Sequence, residues 1–371
     1  MAKPLRIVVV GCGNMGSAHA LALDAMPEFT LCGLVARGDS KARLREKLTG
    51  DPALYDTLAD ALSDARPDAV CIATWPDSHE QLAIDALNAG CHLFIEKPLA
   101  TTVSGAERVV DAAARAGKKV VVGYILRQHP VWQRFIELSH TLGKPLVMRM
   151  NLNQQSAGEA WQTHKALMQS LSPIVDCGVH YLDVMCQMTQ STPESVSAIG
   201  VRLSEEIPEQ QYNYGQLQVR FSDGSVGWYE AGWGPMMSQT AFFIKDVIGP
   251  NGSASIVARE AGGEGQSANV EAHTRTESLR LHHARLDAQG QFVNADEWID
   301  TDDEPDHYDL CRREQQFFAH AIASDAPLDT HLQQAIDSLA VVLAADRAVR
   351  EQRTIFINLN NSSCRTKPKG L

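Results

Sequence analysis

The chain has 371 residues, 44% of them hydrophobic and 21% charged, which supplies about two packed domains and argues against a disordered chain. Asp and Glu number 45 against 33 Lys and Arg, a formal charge of -12. Such a surface repels phosphate backbones, and without a basic cluster it excludes nucleic acid as the expected partner. The eight cysteines, Cys12, Cys32, Cys71, Cys91, Cys177, Cys186, Cys311 and Cys364, form no CxxC pair and are expected as buried free thiols. No run reaches membrane-spanning length. Val9-Val10-Gly11-Cys12 has the form of a lipoprotein cleavage box. The apolar run before it is shorter than the roughly 7–15 residues of an export signal. A buried strand ending in a glycine turn accounts for the same residues, and a cytoplasmic protein is expected.

In chain order, Leu5–Val10, Leu31–Val35, Ala69–Ala73, His92–Ile95 and Lys119–Val122 are apolar runs without two-residue alternation, the pattern of parallel strands covered on both faces. Met15–Met26, Lys41–Leu48, Ser78–Ala89 and Ser104–Ala116 between them carry helical composition and spacing. Strand alternating with helix predicts a doubly wound parallel sheet. Past Gly143-Lys144-Pro145 the character changes to successive strands, Leu146–Leu152, Ser195–Leu203, Gly215–Phe221 and Ser225–Ala231, with Asp223-Gly224 as a hairpin signal. Pro250-Asn251-Gly252 predicts a turn before Ala254–Val257. A helix is expected over Ser172–Met188, and two more over Tyr308–Ile322 and Leu332–Arg350. The polar stretch 259–300 yields no assignment, and the tail 360–371 is expected to fray. The division is thus 1–127 for a nucleotide-type α/β domain, 128–359 for a domain on a mostly antiparallel sheet, and 360–371 for the tail.

Ile7-Val8-Val9-Val10-Gly11-Cys12-Gly13-Asn14-Met15-Gly16 is a strand running through GxGxxG into a helix. Gly11 permits the tight turn, Gly13 a close approach of backbone to a pyrophosphate, and Gly16 close helix–strand packing. The free N–H groups of the helix N-terminus then face the phosphates. The position that selects between cofactors, about twenty residues on, holds Ala36 followed by Arg37 rather than a carboxylate. This favours NADP, gripped by Arg37 with help from Lys41. The alternative is NAD, with Arg37 on the adenine and Asp39 on the ribose. Thr74, Trp75, His79, Glu96 and Lys97, at or just beyond strand ends where such a sheet presents groups to its ligand, complete the candidate cofactor set with Gly11, Gly13, Asn14, Met15, Gly16, Ala36 and Arg37.

Ala73-Thr74-Trp75-Pro76-Asp77-Ser78-His79, then Glu96-Lys97-Pro98, then Asp176-Cys177-Gly178-Val179-His180-Tyr181-Leu182-Asp183 follow the glycine loop in order. Together they resemble the Gfo/Idh/MocA family, over residues 5 to 360. The resemblance implies a Rossmann domain plus an α/β domain whose open sheet mediates homodimers or homotetramers. It implies hydride transfer between NAD(P) and a hydroxyl or keto carbon of a sugar, polyol or inositol-like molecule. It places Lys97, Asp176 and His180 at catalytic positions and makes the Lys97–Pro98 peptide cis, against a general frequency of about 5–6%. Two departures stand out. Ser170-Leu171-Ser172-Pro173 replaces the glycines common before the Asp176 segment, and Gln162 follows Trp161 where an arginine is common.

Removing a hydroxyl proton as a C–H bond breaks suits an imidazole, whose ordinary pKa is about 6.5. Asp176, His180 and Asp183 at i, i+4 and i+7 fall on one helical face. His180 is therefore the expected proton donor and acceptor, Asp176 its orienting or substrate-positioning neighbour, and Lys97 the cation that polarises the reacting oxygen. Lys97 and His180 are expected to converge on one carbon. Tyr124, Arg127 and Trp161 are candidate substrate contacts, Arg127 being equally suited to a domain-linking salt bridge. His19 is expected as a packed helix residue, and His282-His283 lacks the partners of a metal site. Two other functions stay open: a non-catalytic NAD(P)-binding regulator on the same fold, and a dehydrogenase or reductase of a non-sugar cyclic substrate.

Overall fold

The structure, a computed structural model, describes residues 3–238, 244–257, 276, 278–301 and 304–358. In chain order the first unit contains β1 (Leu5–Val10), α1 (Asn14–Asp24), β2 (Phe29–Val35), α2 (Ser40–Arg45), β3 (Ala53–Tyr55), α3 (Leu58–Ala65), β4 (Ala69–Ile72), α4 (His79–Asn88), β5 (His92–Glu96), α5 (Val103–Ala116) and β6 (Val120–Gly123). The strands pair in parallel in the order β3-β2-β1-β4-β5-β6, the Rossmann order with the ligand edge at its switch point. β4 and β6 are buried along their whole length and β5 almost so, which is why their sequences lack alternation. Thr57 and Thr102 cap α3 and α5 by accepting the Asp60 and Gly105 N–H groups. β3 and α3 were not expected. Three residues of strand are too few to show a period, and α3 is only two turns long.

The second part of the chain carries α6 (Pro130–Ser139), β7 (Val147–Gln155), α7 (Gly158–Leu167), α8 (Pro173–Asp176), α9 (Gly178–Thr189), β8 (Pro193–Val201), β9 (Tyr214–Phe221), β10 (Val226–Gly234), β11 (Lys245–Gly249), β12 (Gly252–Val257), β13 (Ser278–His283), β14 (Glu297–Asp300), α10 (His307–Ala323), α11 (Asp329–Glu351) and β15 (Ile355–Phe356). Its nine-stranded sheet runs β14-β13-β12-β11-β7-β10-β9-β8-β15. β7 and β10 are parallel and every other neighbouring pair is antiparallel. Gly224, at φ +83, closes the β9–β10 hairpin where Asp223-Gly224 signalled it. β13 and β14 arise from the stretch that resisted assignment. Residues 258–275 and 277, and the tail from 359 on, lie outside the described residues, as does the fraying expected of that tail. Alternate residues of the sheet face α6, α8 and α9; the other row, including Val147, Ile199, Val201 and Trp298, is exposed. No helix among the described residues is long and apolar enough to cross a membrane.

Compact packing divides the chain at Ile125/Leu126, against an expected boundary after 127, and returns Pro305–Ile336 to the first unit. Thus α10, expected with the second domain, closes the Rossmann core. Phe318 meets Phe29 and Phe94, with ring centroids 6.2 and 6.1 Å apart, within a cluster that includes Leu23, Cys71 and Val121. The first turn of α11 also belongs there: His331 Nε2 accepts the Val122 N–H at 2.9 Å. A helix more than 180 residues downstream completes this core by burying its apolar stripe, Leu310, Cys311, Phe318 and Ala321. Phe318→Ala should cost about 3–5 kcal/mol by transfer and cavity terms, read as a lower midpoint of thermal unfolding.

Candidate active site

The nucleotide edge is built by sterics at the glycine loop. Gly11 has φ +96, and a Cβ there would meet the Ala73 carbonyl, while a Cβ at Gly16 would overlap the Gly11 carbonyl. β1, α1 and the end of β4 therefore close on bare backbone. Gly13 is the N-cap of α1, with no side-chain cap and no acidic residue in the first turn. A Cβ on it would enter open space. Uncapped N–H donors beside exposed Gly13 and Asn14, with Met15 half-buried, fit a pyrophosphate. At the end of β2, Ala36 is half-buried and Arg37 exposed. Lys41 does not join Arg37: its ammonium donates to the Ala36 carbonyl at 2.7 Å and pairs with Asp56.

Beyond β4, Thr74 is half-buried, its hydroxyl 2.7 Å from that of Ser78, and Trp75 is 54% exposed. Two candidates are buried. His79 is fully buried, with Nδ1 2.7 Å from the Pro98 carbonyl and Nε2 3.0 Å from the Thr74 carbonyl. It ties these two loops together, and burial pulls its pKa down. Glu96 also points inward. One carboxylate oxygen lies 2.7 Å from His19 Nε2, and the other accepts the Lys97 backbone N–H at 3.2 Å. Both side chains are engaged within the protein. Lys97 itself is half-buried just past β5, and the Lys97–Pro98 peptide is cis, as the resemblance implied.

In the second unit, Ser172 caps α8 by accepting the Val175 N–H and also receives the Tyr212 hydroxyl at 2.8 Å, while Pro173 occupies the first turn. The segment that replaces the family's glycines is thus a helix start. The expected single helix breaks into α8 and α9, but Cys177 between them stays right-handed helical, so Asp176 and His180 remain one turn apart, both half-buried. Asp183 leaves them. It is buried and held bidentately by Arg127, at 2.8 and 2.5 Å, and by Gln187 at 2.8 Å. Arg127 therefore forms a salt bridge, within the second unit rather than linking the two domains. Tyr124 is buried, its hydroxyl 3.5 Å from the Ala335 carbonyl in the first unit's core. Trp161 is buried too, its indole N–H 3.3 Å from Glu206 and its ring beneath Lys165. Gln162, in the arginine position, is exposed.

Beside Asp176 lies a group absent from the sequence expectations. His164 stacks on Trp233 at 4.5 Å and 6°, with Nδ1 2.9 Å from Ser156 Oγ. Burial drives its pKa down to about 4, partly opposed by Asp176. The Trp233 indole donates to Gln154 at 2.7 Å. Lys245, inward on β11, has its ammonium over the Tyr181 ring at 5.6 Å and 3.3 Å from the Asn151 carbonyl. The only available sequence signal was its inward place in the alternation of Lys245-Asp246-Val247, visible once the strand register is known.

Glycine loop, uncapped helix and strand order define a dinucleotide-binding protein of the Rossmann class. Residues 5–124 match the oxidoreductase family with an NAD-binding Rossmann fold, GFO_IDH_MocA, and residues 135–254 match the GFO/IDH/MocA C-terminal domain; the chain belongs to this family. It is 30% identical over 186 residues, 49% of this chain and 53% of the relative, to an inositol 2-dehydrogenase of Paracoccus denitrificans. It is 28% identical over 205 residues, 54% and 59% respectively, to that of Serratia proteamaculans. The chain thus spans a little over half the length of the curated relatives it matches. Among solved structures, the fold is shared with apo scyllo-inositol dehydrogenase from Lactobacillus casei (TM-score 0.74, 18% identity, 96% of this chain and 99% of that one). It is also shared with GenD2 from gentamicin A biosynthesis in complex with NAD (TM-score 0.72, 20% identity, 96% and 97%).

Burial lowers the Lys245 pKa to about 7, below its ordinary value of about 10.4. Between these values the unfolded chain holds a proton that the native state releases, so stability rises with pH across that window. The cost of burying the ammonium is felt in full below pH 7. Lys245→Met should therefore raise the thermal midpoint most at pH 6 and lose that advantage towards pH 10, checked by calorimetry across the pH series.

Proposed function

We propose that the protein is an NAD(P)-dependent oxidoreductase that moves a hydride between the nicotinamide and a hydroxyl or keto carbon of a polyol, inositol-like or sugar substrate. The observation that carries this reading is the division of labour at Glu96-Lys97: the carboxylate folds back into the core, while the lysine stays half-buried just past β5. That is the end at which a Rossmann sheet meets its ligand. Family membership and the inositol 2-dehydrogenases among the relatives point to the same substrate class.

When bound, the nicotinamide supplies the site that accepts or returns the hydride. The N–H groups at Gly13–Met15 hold the pyrophosphate. Arg37, exposed beside Ala36 with no carboxylate at the end of β2, holds a ribose 2′-phosphate, which makes NADP the preferred cofactor. Trp75 covers the cofactor from the end of β4. In the oxidative direction His180 takes the hydroxyl proton as the C–H bond breaks, and in reduction it returns a proton to the forming alkoxide. Lys97 hydrogen-bonds the same oxygen and stabilises its developing charge. Asp176, one turn before His180, positions a substrate hydroxyl or the imidazole. The apolar outer row of the nine-stranded sheet supports self-association into a homodimer or homotetramer through that face.

With inositols and polyols as substrates, Lys97→Ala and His180→Ala should each lower kcat by about a hundredfold or more while leaving the thermal midpoint near that of the wild type. Near-normal turnover in both folded variants refutes the assignment. Fluorescence titration should show tighter binding of NADPH than NADH, a preference that Arg37→Ala reduces; a clear preference for NADH points to Asp39 on the ribose instead.

A further inference from the structure

The core of the first unit holds a second carboxylate behind Glu96. Glu314, on α10, is 2% exposed, and neither of its carboxylate oxygens has a hydrogen-bond partner among the described residues. Around it stand His19 from α1, Glu96 from β5, Cys71 from β4, and Cys311 and Gln315 from its own helix. Each His19 ring nitrogen already has a neighbour, Glu96 at 2.7 Å and the Gln315 amide nitrogen at 3.1 Å. Glu96 uses one oxygen for His19 and the other for the Lys97 backbone N–H. A carboxylate that accepts on both oxygens does so best as an anion.

We propose that Glu96 is a positioning residue for Lys97, braced from behind by His19, and that Glu314 serves this arrangement as a proton-bearing acid. The grip of Glu96 on the Lys97 amide fixes where the lysine leaves β5, and so where its ammonium points. His19 prevents the carboxylate from swinging back into the core. A second negative charge at Glu314 would face Glu96 in a medium of low dielectric and compete for His19, so the two carboxyls hold one proton between them. Burial pushes the Glu314 pKa well above the usual carboxylate range, with Glu96 adding to it. Glu96, although buried, is held below its ordinary value by His19 and Lys97. This inference rests on the reading of Lys97 as the group that meets the substrate oxygen, but half of its test needs no turnover.

That half is thermal unfolding of the wild type and Glu314→Gln across pH 4 to 9. The native state keeps a proton that the unfolded chain loses above about pH 4.3, so the wild type forfeits stability as pH climbs towards the native value of Glu314. The uncharged isostere avoids that loss. Its midpoint should match the wild type near pH 4 and exceed it by a margin that widens with pH. A Glu314→Gln protein that is less stable at neutral pH, or a margin that does not change with pH, overturns the assignment. So does a stoichiometric divalent metal in the purified wild type that Cys311→Ser or Glu314→Gln removes, which would make His19, Cys311 and Glu314 a cation site. The kinetic half is Glu96→Gln, with kcat expected to fall about tenfold or more and the NADPH dissociation constant to stay within about twofold. In Glu314→Gln the alkaline limb of kcat should move to higher pH, a change that simple loss of packing does not produce. Unchanged kcat in Glu96→Gln, or an unmoved limb, refutes the positioning role. Wild-type protein without turnover on any polyol refutes the proposed function and the Lys97 half together, leaving the thermal series to decide Glu314.

Discussion

No Cβ fits at Gly11 or Gly16, where β1 turns into α1, and much of the first unit follows from that exclusion. Because the Gly11 carbonyl occupies the space a Cβ at Gly16 would need, and the Ala73 carbonyl the space of a Cβ at Gly11, the loop lies flat against the end of β4. The N-terminus of α1 is left open, with no side chain capping it. The same close approach carries His19, one turn further along α1, down to Glu96 on β5. A steric constraint at two glycines thus fixes both an anion-binding edge and the electrostatic partner of the Glu96-Lys97 segment. The two consequences are inseparable, because one rigid helix delivers both.

Parallel strands buried on both faces announce themselves by composition, so the doubly wound parallel sheet, its glycine loop and the hairpin at Gly224 were legible in the sequence. What escaped has physical reasons. β3 spans three residues, too few for a period. Long-range closure by α10 is invisible to local pattern, because an amphipathic stripe says that a helix is covered but not by what. Glu96 and His79 were assigned to the cofactor from their place near strand ends. Position gives proximity, whereas side-chain direction depends on partners such as His19 and the Pro98 carbonyl, which lie far away in sequence. Asp183 shows the same limit, since helical spacing grouped it with His180 while a bidentate arginine holds it in the core.

The two units handle buried charge in different ways. In the first, two carboxyls share a pocket with one imidazole, and the outcome is division: Glu96 accepts on both oxygens while Glu314 has no hydrogen-bond partner among the described residues. In the second, as at His79 of the first, burial acts on bases and disfavours their charge. His164 stacks on an indole, and Lys245 lies over a phenol ring beneath the sheet. Both are pushed towards their neutral forms. Half-buried Asp176 and His180 keep access to solvent on the adjoining helical turn.

That contrast bears on which groups can exchange protons with a substrate. A fully buried base has its equilibrium set by desolvation and no path by which to trade protons during turnover. A half-buried imidazole can reload between cycles. His164 and Lys245 are closely packed and strongly shifted, which on perturbation alone would mark them as catalytic candidates. Their partners argue otherwise: Trp233 and Ser156 hold His164, and Tyr181 and the Asn151 carbonyl hold Lys245. Each is engaged in holding the wall against which α8 and α9 are set. A large shift in a protein interior marks what a residue has lost to burial. Exposure at a strand or helix end marks what it still has to offer a ligand, and Lys97, Asp176 and His180 all keep part of theirs.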